Sequence, residues 1–458
     1  MNITRSIETL FQKYLPSPFA IAILLTLLTL VLALLFTDGP ADQNHFLALL
    51  GYWENGIWNN ALLVFAYQMM LILVLGHILV LSKPMNRLIQ HLTGWVHNTA
   101  TAVVLVSLAT LMVSFFNWGL GLIFGAILAR KVAEAAQTRG FGINYPLVGA
   151  AGYVGLMIWH GGISGSAPSK VSESGHLASL MSGIGDGSYA SKLPDLIPYS
   201  ETVFSTGNLL IFGILLVLIP LLLRQLAKKA PQTPTRLPLY QGPESEGQEG
   251  GTADRIDRSK WLGVAFGGLI LVAFVYQYAG ELSHWIVTPN MLNFFMLGLG
   301  LVLHGSFSSF LNAVEEAIKG ASGILIQFPL YFGIMGIMRD SGMVLQLSEF
   351  FVSISNETTL PLFTFLSAGL VNIFVPSGGG QWAVQGPIVV ESALQLGVPL
   401  NKVVMALAYG DQLTNMLQPF WALPLLGITK LKAKEILPYT LMVMLLGMLV
   451  FVLGLLWM

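Results

Sequence analysis

Apolar runs alternate with short polar or charged punctuation along almost the whole chain. A helix needs ~20 apolar residues to cross a bilayer core. Pro18 to Phe36, Ala61 to Leu81, Thr202 to Leu223, Trp261 to Ala279, Met291 to Ser306, Ala321 to Met338 and Leu437 to Trp457 read as such spans. Other runs break midway. Leu360 to Phe374 and Ile388 to Val398 flank Val375-Pro-Ser-Gly-Gly-Gly-Gln-Trp-Ala-Val-Gln-Gly-Pro387, and neither arm alone is long enough to span. Two short helices meeting at such a tip predict a re-entrant hairpin, whose free backbone groups are tolerable at membrane depth only when buried in protein or facing a wet cavity. Thr99 to Phe116 and Leu120 to Val132, around Asn117-Trp118-Gly119, predict a second hairpin. Two further helices are predicted to be broken, 145–168 at His160-Gly-Gly-Ile-Ser-Gly-Ser-Ala-Pro168 and 401–428 at Asp411 to Pro419.

Charge gives these elements sides. Lys83, Arg87, Arg130, Lys131, Arg139, Arg224, Lys228, Lys229, Lys430, Lys432 and Lys434 mark cytoplasmic ends, whereas Thr37 to Asn59 holds Asp38, Asp42 and Glu54 but no Lys or Arg and reads as external. Ser172 to Ser200 reads as an external loop. The first hairpin then opens to the cytoplasm and the second to the outside. The predicted fold is an all-α polytopic membrane protein of two inverted repeats, with about nine full spans, two re-entrant hairpins and two broken helices. Residues 1–229 form the first repeat (hairpin 99–132), 230–259 a flexible cytoplasmic linker, and 260–458 the second repeat (hairpin 360–396). Met1 to Pro16 reads as a surface amphipathic helix, and Pro18 to Phe36 as a retained first span rather than a signal peptide. The N-terminus is expected in the cytoplasm.

Composition narrows the function. Of 458 residues, 54% are hydrophobic and 10% charged, which suits a protein embedded in a lipid bilayer. A net charge of −1 argues against a nucleic-acid partner, and the absence of cysteine excludes disulfides and thiolate metal sites. No HExxH or GxSxG motif is present, and no carboxylate pair is placed for catalysis, so an enzyme is not expected. No cofactor is expected beyond a co-transported H+ or Na+.

Val375-Pro-Ser-Gly-Gly-Gly-Gln-Trp382, with Asn117-Trp-Gly119 and His160-Gly-Gly162, resembles the short-chain fatty acid (acetoacetate and butyrate) transporter family, within the ion-transporter superfamily of elevator carriers. The resemblance covers nearly the whole chain except Lys228 to Lys260. It implies uptake of short monocarboxylates across the bacterial inner membrane, a homodimer, and a site made by the hairpin tips and broken helices. The matching residues are Asn117, Trp118, Gly119, His160, Ser377, Gly378, Gly379, Gly380, Gln381, Thr414 and Asn415. Superfamily carriers of dicarboxylates use Ser-Asn-Thr clusters at their tips, often with sodium, and this chain departs from that pattern. A sodium-coupled dicarboxylate carrier is the second reading.

The residues themselves point the same way. The interruptions contain almost no Lys or Arg, so a carboxylate would be held by backbone N–H groups at half-helix N-termini and by neutral donors: Ser377 to Gln381, Ser164, Ser166, Thr414 and Asn415. Asp411, inside an apolar helix, is the first candidate for proton or cation coupling, and His160 at the other break and Asn117 at the first tip are further candidates. Trp118, Trp159, Trp382 and Phe420 could sleeve a short acyl tail. The same residues also have ordinary uses: Ser and Thr bond the backbone within membrane helices, Asn caps turns, and Trp marks the interface. His77, Glu201 and Glu391 stand alone and read as packing residues.

Overall fold

The computed structural model describes residues 3–84, 87, 91, 93–181, 192–232, 237, 252–283 and 288–458. Among these no strand forms, and seven helices are long and apolar enough to cross a membrane. The first half runs α1 (Ile3–Tyr14), α2 (Pro18–Phe36), α3 (His45–Ile57) and α4 (Asn60–Leu81), then a hairpin of α5 (Thr99–Phe116) and α6 (Trp118–Arg139). A broken helix follows: α7 (Tyr145–Ala151), 3-10 turns at Val154–Met157 and Trp159–Gly161, then α8 (Ser166–Val171) and α9 (His176–Leu180). The half closes with α10 (Thr206–Lys229).

The second half runs α11 (Thr252–Asp257), α12 (Lys260–Ser283), α13 (Pro289–His304), α14 (Phe307–Ile318), α15 (Ser322–Asp340) and α16 (Met343–Ser353). Its hairpin is α17 (Leu360–Phe374) and α18 (Gly378–Leu396); its broken helix is α19 (Leu400–Thr414), a 3-10 turn at Asn415–Leu417, and α20 (Pro419–Thr429). The closing helix is α21 (Ala433–Trp457). Most of the predicted 230–259 linker, and 182–191 of the predicted external loop, lie outside the described residues.

The two hairpins use the same local chemistry. At each tip a short polar side chain caps the second arm: Asn117 Oδ1 accepts the Leu120 N–H at 2.9 Å, and Ser377 Oγ accepts the Gly380 N–H at 3.2 Å. Each second arm ends in a left-handed glycine, Gly140 (φ 75°) and Gly397 (φ 72°), where a Cβ would be strained. Each glycine leads directly into the broken helix of its half. The first arm of the first hairpin has the expected bounds, and the second arm is longer than the sequence suggests, at 22 residues. The first broken helix leaves α-geometry at Gly152, earlier than expected, because α7 is only seven residues long.

The helices α3, α14 and α16 carry no long apolar run and are absent from the sequence reading. α3 and α14 pack across the halves, whereas α16 packs on the hairpin of its own half. α2 and α3 of the first half lie against α15 of the second, while α13 and α14 of the second lie against α4 of the first. Within the first half α5 packs on α6, α7 and α10; within the second α17 packs on α19, and α18 on α16 and α19. Hairpins and broken helices thus form the middle of the molecule, with α2, α4, α13 and α15 outside them. Many outward side chains of α2 and α12 are large and apolar, among them Leu27, Val31, Leu35, Leu269, Val272 and Tyr276, as a surface in contact with lipid requires.

Candidate functional site

The tip of each hairpin is fastened to the first broken helix. Ser164 Oγ accepts the Trp118 N–H at 3.0 Å, and the Ile163 N–H donates to the Phe115 carbonyl at 2.8 Å. From the other half, Gly378 approaches so closely that a Cβ there would stand 2.8 Å from both His160 Cε1 and Trp159 Cη2 and 2.9 Å from Asp411 Oδ2. Glycine is needed at 378 for this close approach rather than for its dihedral angles. Gly379 is open by comparison, with Ser166 Oγ 4.0 Å from the position of a Cβ.

His160 and Asp411 meet at this junction, 0% and 1% exposed, with Nδ1 2.5 Å from Oδ2. The Ala167 N–H donates to His160 Nε2 at 3.1 Å, so Nε2 is the acceptor and the ring proton sits on Nδ1, facing the carboxylate. The contact lies off the N–H axis, which leaves both Asp411 carboxyl oxygens without a hydrogen-bond partner among the described residues. Gln412, the next residue, accepts the His160 and Gly161 N–H groups at 2.9 and 3.2 Å. One turn of α19 therefore caps the broken backbone of the other half and presents a carboxylate to its histidine.

Amides and hydroxyls hold the second break. Asn372 Nδ2 lies 2.9 Å from the Asp411 carbonyl, 2.9 Å from Thr414 Oγ1 and 2.8 Å from Asn415 Oδ1. Gln418 donates back to the Asn372 carbonyl at 2.9 Å, and Tyr153 O–H lies 2.8 Å from the Asn415 carbonyl and 3.1 Å from that of Gln418. On the first break, Asn208 donates to the Gly161 carbonyl at 2.8 Å and accepts the Tyr409 O–H at 2.9 Å. These bonds satisfy carbonyls that the interrupted helices leave free.

Around the junction runs a closed circuit of contacts. Trp159 stacks on His160 (4.5 Å) and meets Trp118 (5.8 Å); Trp118 meets Trp421 (5.1 Å), Trp421 meets Phe420 (4.9 Å), and Phe420 meets Tyr331 of α15 (5.2 Å). One turn beyond Tyr331, Met335 Cε lies 3.7 Å from the position of a Cβ on Gly380, and the tip returns through Gly378 to Trp159. The circuit holds no Lys or Arg. His160 and Asp411 supply polar atoms on one side, the Trp159 indole and the Tyr331 hydroxyl are polar groups on it without a partner among the described residues, and Phe420 and Met335 are apolar.

Of the residues expected to bind substrate, Trp118, His160, Gly378 and Gly380 lie on or beside the circuit, and Asn415 lies in the adjoining break. Gln381 is turned away, donating to the Ala368 carbonyl and to Gln385 Oε1. Trp382 is also elsewhere: its Nε1–H donates to His176 Nε2 at 3.0 Å, and its ring is packed against Gly386 and Leu180. Asn117 accepts the Leu120 N–H at its own tip, and Thr414 donates across to the Gly369 carbonyl of α17. Asn208, Tyr331, Asn372, Tyr409 and Gln412 are missed by the sequence reading, as single polar side chains on otherwise apolar helices. A separate small pocket, lined by His77, Arg130, Lys131, Glu134 and Glu316 among others, contains none of the expected residues.

The family model described as short chain fatty acid transporter matches residues 1–458. A curated relative from Escherichia coli (strain K12) is 35% identical over 459 residues, covering 99% of this chain and 99% of its own. One from Haemophilus influenzae is 34% identical over 464 residues, with 99% of each chain covered. Both carry the provisional name of short-chain fatty acid transporter. Among solved structures, the Alcanivorax borkumensis YdaH transporter is similar at a TM-score of 0.46 and 16% identity, covering 96% of this chain and 98% of that one. Neisseria gonorrhoeae MtrF, from a class of antimetabolite efflux pumps, is similar at 0.37 and 14%, covering 98% and 97%.

Proposed function

We propose, because the chain belongs to the short-chain fatty acid transporter family, that it is a secondary active carrier taking up short monocarboxylates such as acetoacetate or butyrate across the bacterial inner membrane. It is a multi-pass membrane transporter and not an enzyme. The observation that carries the finer reading is the His160–Asp411 pair, buried where the second hairpin tip meets the first broken helix.

That pair favours coupling to protons. An ionised Asp411 repels an incoming carboxylate by about 3 kcal/mol at ~6 Å with an effective dielectric constant of about 20. A proton on the Asp411 oxygen that faces away from His160 removes this repulsion. Substrate and proton then bind together, and inward transfer of the anion no longer opposes the membrane potential. Sodium at the same carboxylate, with a dicarboxylate substrate, is the competing assignment. The apolar walls of Trp118, Phe420 and Trp421 suit it less well.

Motion follows from the packing. Hairpins and broken helices are bonded to one another, whereas they meet α4 and α15 mainly through side-chain packing. We expect them to move as one block against a scaffold of intact helices, with the N-terminus in the cytoplasm and scaffold contacts forming a homodimer. The deciding experiment is radiolabelled butyrate uptake into proteoliposomes under proton and sodium gradients imposed separately. Accumulation under the proton gradient alone is expected; accumulation under sodium alone, with succinate outcompeting butyrate, would overturn the assignment.

A further inference from the structure

We propose that the indole N–H of Trp159 and the phenol O–H of Tyr331 are the two donors that receive the substrate's carboxylate, an assignment that rests on the carrier reading above. Both side chains are buried, at 4% and 0% exposure, and neither polar atom has a partner among the described residues. A buried donor without an acceptor is costly to keep, and a folded protein does not usually hold two of them on one ring of contacts without a use.

Two of the donors that the sequence favours are already committed: Thr414 O–H donates to the Gly369 carbonyl, and Gln381 Nε2 donates to the Ala368 carbonyl and to Gln385 Oε1. Ser377 Oγ accepts the Gly380 N–H at the start of its own helix. Asn415 Nδ2 also lacks an acceptor and lies in the second break, a third donor already expected there. Trp159 and Tyr331 come from opposite sides of the circuit. Trp159 sits beside the Gly378 tip, and Tyr331 sits on α15 between Phe420 and Met335.

Neutral donors fix the substrate class. Two hydrogen bonds can hold one carboxylate without a salt bridge, while among the remaining walls Phe420 and Met335 carry no donor and none carries a positive charge for a second carboxylate. The site accordingly selects a monocarboxylate with a short apolar tail and rejects both a dicarboxylate and the uncharged amide of the same acid. Tyr331, on an intact helix outside the hairpins, also makes binding sensitive to how the moving block is seated.

The test reads binding without transport. Purified protein in mild detergent is heated with sodium butyrate, butyramide or sodium succinate, against equal sodium chloride. Butyrate alone should raise the unfolding midpoint, because a ligand bound only to the native state stabilises it. Tyr331→Phe should need roughly 10- to 100-fold more butyrate for the same rise, the range expected for a hydrogen bond to a charged group. Its ligand-free midpoint should equal or exceed that of the native protein, because the hydroxyl it loses has no partner to abandon. A purely structural Tyr331 would instead lower that midpoint. Trp159→Phe should weaken the butyrate response similarly. An unchanged butyrate response in Tyr331→Phe, an equal response to butyramide, or no butyrate response in the native protein would overturn the assignment. Butyrate stabilisation without uptake under either gradient would defeat the carrier reading and leave the two donors standing. Uptake with an unaltered response in both variants would do the reverse.

Discussion

Gly378 and His160, from opposite halves of the chain, approach until a single added carbon on the glycine would stand 2.8 Å from His160 Cε1. The tip of the second hairpin is therefore seated on the break of the first half, with Asp411 beside both.

Gly378→Ala should accordingly cost about 1–3 kcal/mol by overpacking and abolish uptake. Gly379→Ala, whose new methyl finds only Ser166 Oγ at 4.0 Å, should leave both nearly unchanged. Thermal unfolding and butyrate uptake of the two neighbouring variants, measured together, check this. Equal damage in both would mean that the tip is not seated as described.

Asp411→Asn keeps the shape of the side chain and removes its capacity to gain a proton. Proton-driven accumulation of butyrate should be lost, while exchange of labelled for unlabelled butyrate across the membrane, which needs no net proton movement, should continue. An intact response to the proton gradient would place coupling elsewhere.

The Trp382–His176 bond should respond to acid. Indole only donates, so His176 Nε2 must be unprotonated to accept. Burial, the largest influence, holds the His176 pKa below its ordinary value; neighbouring Glu173 raises it and Lys170 lowers it, and the first effect dominates. A lowered histidine pKa means that the unfolded or released state binds the proton better. The stabilisation from this bond is then present at neutral pH and is lost as pH falls below about 6.5 towards the folded value. His176→Gln, which offers an acceptor at any pH, should flatten the acid side of the stability profile; an unaltered profile would remove His176 from consideration.

Asn372→Ala removes an amide shared among the Asp411 carbonyl, Thr414 Oγ1 and Asn415 Oδ1. The loss should be about 2 kcal/mol, from buried acceptors left unsatisfied. Denaturation of the purified variant, together with its butyrate affinity, tests whether the second break depends on this residue.

The interruptions were legible because Gly, Pro, Ser and Asn cluster there. Asn117-Trp-Gly119 and Ser377 to Gly380 lie at the hairpin tips where the sequence puts them, while the second break begins at Asn415, four residues later than Asp411. Pairings were not legible. His160 and Asp411 each stood out alone, but nothing along the chain says that α19 crosses the first break, or that Gly378 sits on both. Asn372, Gln412 and Tyr331 carry no signal, since one polar side chain on an apolar helix is usually a packing residue. Trp382 shows the opposite case: its place beside the tip suggested the pocket, but it lies about 6 Å further along the arm than Gly378, where its indole N–H finds His176 on α9. The helices α3, α14 and α16 escaped notice because length was the criterion, and they are too short to span.

Those short helices bear on how the protein is made. α3 touches α2 only lightly and finds its main partner in α15, and α4 lacks a partner on one side until α13 and α14 exist. At ~5–20 residues per second, synthesis separates α3 from α15 by on the order of tens of seconds. During that interval the first half waits in the bilayer with its mating faces unmet, exposed to membrane proteases and to other unfinished chains. A late truncation, or a slow stretch of translation before α13, would therefore register as loss of the N-terminal half of the protein, far from the place where the message was altered.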